Sequence, residues 1–132
     1  KYISFFFGIA LLSACEDVIN PGLESAAPVY VVDAWITNSA QTQVIKLMRT
    51  QPYFDNSLPP GVSGATVSIT DSQGIIYNFV EGATAGEYLW TPLGNERFGE
   101  IGRQYTLSIN VNGETITSTT SMNPVPPVDS IT

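Results

Sequence analysis

The chain has 132 residues, 12 of them acidic and 5 basic, for a net charge of −7 and an isoelectric point of ≈ 4.2. Such a surface repels phosphate backbones, which excludes nucleic acid as a partner. Hydrophobic residues make up 43% and charged residues 13%, too apolar for a disordered chain and suited to one domain with a modest core.

The chain opens on Lys1 and an apolar run from Ile3 to Leu12, followed by Leu12-Ser13-Ala14-Cys15. A positive start, a short apolar stretch and small residues form the pattern of a secretory signal. The run is about half the roughly 20 residues that a membrane-spanning helix needs. Cys15 is the single Cys of the chain, and its place after Leu-Ser-Ala resembles the lipobox of bacterial lipoproteins. That resemblance implies a diacylglyceryl group on the Cys15 thiol, cleavage before it, and acylation of the new amine, with palmitate as a typical chain. Residues 1–14 are then the signal and Cys15 the first mature residue. Acyl chains contribute about 0.8 kcal/mol per buried methylene, so several on one Cys anchor the protein lastingly in an outer-membrane bilayer. With Cys15 lipidated no thiol remains for a disulfide, and the fold must rest on its apolar core. Residues 15–28 hold turn formers without a sustained period and read as a tether. Within them, Glu16-Asp17 resembles the acidic export signal of surface lipoproteins of Bacteroidota, which places the protein on the cell surface.

Residues 29–122 alternate with a period near two and are rich in β-branched and aromatic residues, the mark of strands half-buried on one face. The first strand is expected over 29–37, with Trp35 in the core, and closes at Asn38-Ser39. The second spans 43–50, with Lys46 and Arg49 reaching solvent. The third spans 65–70, with Ala65, Val67 and Ile69 on one face. Asp71-Ser72-Gln73-Gly74 is a glycine-dependent turn to a fourth strand at 75–80. A short fifth strand follows at 86–90. The sixth, 104–111, points Tyr105, Leu107, Ile109 and Val111 inward, and Asn112-Gly113 is a strong hairpin signal leading to the seventh at 114–122. Residues 123–132, with Pro124, Pro126 and Pro127, read as a proline-rich extended linker.

Seven short strands with regular turns and no helical pattern predict an all-β, antiparallel seven-stranded β-sandwich, immunoglobulin-like or transthyretin-like. Gly102-Arg103-Gln104-Tyr105-Thr106-Leu107 resembles a tyrosine corner, while the two Cys of antibody domains are missing.

Several segments carry a wider resemblance: Cys15-Glu16-Asp17-Val18-Ile19, Val31-Val32-Asp33-Ala34-Trp35-Ile36-Thr37, and Arg49-Thr50-Gln51-Pro52-Tyr53-Phe54-Asp55. Val62-Ser63-Gly64-Ala65-Thr66-Val67 and Pro124-Val125-Pro126-Pro127-Val128-Asp129-Ser130-Ile131 add to it. In this order they resemble a Bacteroidota outer-membrane lipoprotein family of unknown function, over nearly the whole chain. The resemblance implies an N-terminal sandwich of a longer protein, with residues 123–132 leading to a further C-terminal part. It also implies a genetic neighbour, because such lipoproteins are often encoded beside TonB-dependent receptors. It carries over no catalytic residue.

The search for chemistry is mostly negative. The chain has no His, so His-based triads and imidazole metal sites are excluded within it, and no phosphate-binding Gly-rich pattern occurs. Asp55-Asn56 and Asp71-Ser72 offer oxygen atoms but lack the spacing of a calcium loop, so turn capping is the expected role. No metal or cofactor beyond the lipid on Cys15 is expected. The long stretch from Gln51 to Gly64 brings Tyr53, Phe54 and Asp55 together, and the stretch 91–100 holds Phe98 among glycines and charges. These four are the candidate partner or ligand contacts, since ordered long loops often bind. The reading is a non-catalytic, lipid-anchored accessory protein that associates with a TonB-dependent transporter and aids substrate capture. The rival is a stand-alone carbohydrate- or peptide-binding surface module using Tyr53, Phe54 and Trp90.

Overall fold

The computed structural model describes residues 27–52 and 55–126. These form seven antiparallel strands and no helix: β1 (Tyr30–Trp35), β2 (Gln43–Arg49), β3 (Thr66–Asp71), β4 (Ile76–Glu81), β5 (Glu87–Trp90), β6 (Gln104–Val111) and β7 (Glu114–Ser121). All seven expected strands are present, with small shifts at their ends.

The strands follow the order β1-β2-β5-β4-β3-β6-β7 in one curled sheet, consistent with a sandwich. Read as 1-2-5-4 against 3-6-7, this is the strand order of the immunoglobulin-type sandwich, which decides between the two arrangements left open by the sequence. β4 is the join. Asn78 and Phe79 pair with Ser68 and Val67 of β3, whereas the last two residues, Val80 and Glu81, pair with Leu89 and Tyr88 of β5.

The pleat explains the core. Side chains on a strand alternate between faces, and Ile45 and Leu47 of β2, Val67 and Ile69 of β3, Tyr77 and Phe79 of β4, Tyr88 of β5, and Tyr105, Leu107, Ile109 and Val111 of β6 are all buried. Lys46 faces outward and meets Glu87 across the β2–β5 ladder at 3.1 Å. The β6–β7 hairpin turns at Asn112 and Gly113, whose φ values of 49° and 82° are those of the two-residue turn that matches strand twist.

Where β5 ends, β2 finds a second partner. Arg49 N–H donates to the Pro60 carbonyl at 3.0 Å and Val62 N–H to the Leu47 carbonyl at 2.9 Å, while Leu47 N–H donates to Gly86 at 2.8 Å. Three backbones meet here. Gly86 sits at φ +81°, and a Cβ on it would lie 2.7 Å from the Gly61 Cα, so glycine is required on both counts.

Candidate functional site

β1 and β7 are the two edges of the sheet, each hydrogen-bonded on one side only. At one end a polar tie draws them together. The Tyr30 hydroxyl, at the start of β1, accepts from the Asn112 amide of the β6–β7 turn at 3.0 Å and from the Arg49 guanidinium at 2.9 Å. The same guanidinium lies 4.9 Å above the Tyr30 ring. The Asn112 bond first, and then that of Arg49, holds the Tyr30 hydroxyl below the usual tyrosine pKa.

At the other end the seam opens. A cleft of ≈ 270 Å³ lies between the end of β1 and the second half of β7, walled by Ala34, Ile36 and Met122, floored by Phe98, Tyr105 and Leu107, and rimmed by Ser118 and Thr120. Trp35 stands at its mouth, 82% exposed. This corrects the expectation of Trp35 in the core. Tyr30 and Val32 of β1 pack on the core, so the pleat sends Val31, Asp33 and Trp35 to the opposite face. The signal was in the sequence, because Asp33 and Trp35 are two apart and share a face.

A second, shallower hollow of ≈ 320 Å³ lies beside Trp35 on the outer face, lined by Asp33, Lys46 and Val44 and by the β1–β2 loop residues Thr37, Ser39, Gln41 and Thr42. The loop is held by the buried carboxamide of Gln43. Its Oε1 accepts from Thr37 N–H at 2.9 Å, and its Nε2 donates to the Gln41 carbonyl at 2.8 Å and to Ser39 Oγ at 3.2 Å. The β5–β6 connection clips the loop from behind: Phe98 N–H donates to the Ser39 carbonyl at 3.3 Å and Arg97 to the Asn38 carbonyl at 3.4 Å.

Of the candidate contacts read from sequence, Cys15, Tyr53 and Phe54 lie outside the described residues. Asp55 is exposed, and its carboxylate accepts from Ser57 N–H at 2.9 Å; the Ser57 hydrogen bonds hold its pKa low. That is a turn cap. Phe98 requires correction as a partner contact, because it is 0% exposed and plugs the sandwich. Its ring centroid is 4.3 Å from Tyr77, 5.2 Å from Trp90, 6.0 Å from Tyr105 and 6.1 Å from Phe79. The glycines and charges around Phe98 are loop residues that let the ring turn inward. Trp90 packs edge-on to Tyr77 in the same cluster, and so offers no free platform.

The tyrosine corner is present. Tyr105 donates from its hydroxyl to the Glu100 carbonyl at 2.9 Å and accepts from Glu100 N–H at 2.6 Å. Beside it, buried Asp71 accepts from Gln73 and Ile75 N–H, each at 2.9 Å, and from Arg103 at 2.6 Å; Arg103 also meets Glu100 at 2.8 Å. Burial alone would raise the Asp71 pKa, but the Ile75, Arg103 and Gln73 bonds together outweigh it and hold the carboxyl low. Both carboxylates that the sequence offered as oxygen donors therefore cap turns. The cleft itself presents apolar side chains and hydroxyls, and its Tyr105 oxygen is already engaged.

Neither a curated protein nor a solved structure matches the chain. A family model, the domain of unknown function DUF4249, matches residues 16–132, and the chain belongs to that family.

Proposed function

We propose that this protein is a non-catalytic accessory, lipid-anchored at Cys15 on the outer surface of the outer membrane, that docks on a TonB-dependent transporter and aids substrate capture. The carrying observation is the open seam: an apolar cleft between two free strand edges with Trp35 exposed at its mouth. Free edges accept an extended segment through backbone hydrogen bonds, and a neighbouring apolar slot takes its alternate side chains. Exposed Trp is the residue type that most often dominates an interface. The membrane anchor and the transporter rest on the lipobox and on the family resemblance of the sequence.

The test is a mild-detergent pull-down of the lipidated protein from native outer membranes, followed by mass spectrometry. Stoichiometric recovery of a TonB-dependent receptor, lost in Ser118→Trp, where the new ring fills the cleft, supports docking through the seam. Recovery of the lipoprotein alone overturns it. Replacement of Cys15 by Ser should release the protein from the membrane fraction, and retention there would overturn the anchor.

A further inference from the structure

The hollow on the outer face of β1 and β2 differs in character from the cleft, although Trp35 borders both. We propose that it is a binding site for an uncharged sugar, with Trp35 as the stacking platform and Asp33, Lys46 and the Thr37–Thr42 loop as its hydrogen-bonding rim. This deepens the surface-capture reading above and rests on it for the biological setting only.

The lining carries the argument. An indole face is apolar and electron-rich, and it matches the C–H-bearing face of a pyranose ring. The edge of that ring bristles with hydroxyls, which need donors and acceptors in close array. Here Asp33 offers two acceptor oxygens, Lys46 the ammonium protons beyond the one that meets Glu87, Thr42 a hydroxyl that serves as either, and Thr37 and Ser39 the remaining capacity of hydroxyls bonded to each other and to Gln43. A site of one dominant aromatic and a few convergent polar groups is the usual form of a small-ligand pocket, and ≈ 320 Å³ is at the small end of the range, about the size of one sugar unit. Apart from Trp35 and Val44 the lining is polar, which disfavours an apolar peptide. Lys46 already meets Glu87, so Asp33 leaves the rim net negative, and a neutral sugar fits better than a uronic acid or a phosphate.

The site is also pre-organised. Gln43 locks the loop with four hydrogen bonds from a buried side chain, and the β5–β6 connection pins Asn38 and Ser39. Little ordering therefore remains to be done on binding. Gln43 also lines the hollow, but its carboxamide is spent on the loop, and it acts as a positioning residue.

The experiment is a titration of the full chain with uncharged gluco-, manno- and xylo-oligosaccharides, read by tryptophan fluorescence and calorimetry. The chain has two Trp, so Trp35→Ala leaves Trp90 as an internal control. At least one oligosaccharide class should shift the emission and release heat. Trp35→Ala should abolish the shift and raise Kd by about tenfold or more, Trp35→Tyr should restore part of it, and Asp33→Asn should weaken binding less. Gln43→Ala should raise Kd and also speed amide exchange at Thr37 while leaving the thermal transition of β6 and β7 in place. Absence of any response across the three classes overturns the proposal, as does full binding by Trp35→Ala. A concentration-dependent dimer lost in Trp35→Ala, without sugar binding, also overturns it and assigns the face to a second copy. Ser118→Trp separates the two readings: it should leave the sugar titration unchanged whether or not transporter recovery is lost.

Discussion

The two ends of β1 are built on opposite principles. At its start, Tyr30 is tied to Arg49 and Asn112, and the edge strands are drawn together by polar bonds. Five residues on, Trp35 is left 82% exposed over an open cleft. The deep side of that cleft is different again: Phe98 is buried among four other aromatic rings, and Tyr105 and Asp71 are fully engaged. The contrast teaches that the large aromatics of this chain divide into one that holds the fold and one that the fold holds out.

The strongest way to break the comparison is to exchange the two roles. Phe98→Ala should cost about 3–5 kcal/mol by opening a cavity in the aromatic cluster, seen as a large fall in the denaturant midpoint. Acid should act next, on the Asp71 cap. Because its folded pKa is depressed, the stability it gives is present above the unfolded carboxyl value and is lost as pH falls through the folded one. A thermal-denaturation series should therefore show an acid limb that Asp71→Asn flattens. Tyr105→Phe removes both Glu100 hydrogen bonds and should cost about 1–3 kcal/mol in urea unfolding. Tyr30→Phe should lower Tm less than Tyr105→Phe, and should raise amide exchange in β1 without touching β6. Smallest of all, Trp35→Ala should leave stability within about 0.5 kcal/mol of the parent. A large loss there would mean that Trp35 supports the fold and would end the contrast.

The sandwich was legible because its strands alternate cleanly and its turns carry their own chemistry: Asn112-Gly113 is a positive-φ pair, and Asp71 reaches forward to two N–H groups. The tyrosine corner was legible from Tyr105 at the head of a late strand. Strand order was not, since it depends on β4 changing partners between Phe79 and Val80, a three-dimensional event with no local signal. The candidate site was misread for a related reason. Trp35 and Phe98 were assigned by the company they keep in sequence, an apolar strand and a polar loop. In the fold, parity along β1 turns Trp35 out, and the glycine-rich 91–103 connection turns Phe98 in.

The partner change in β4 has a mechanical consequence. In a sandwich of two separate sheets, the halves cohere only through side-chain packing and can slide or part. Here one strand carries a backbone ladder from one half into the other, so a load applied at either end passes through hydrogen bonds rather than through the oily layer alone. In the proposed setting, between a lipid anchor and a transporter, such a domain is pulled from both sides. This one is stitched, not merely stacked.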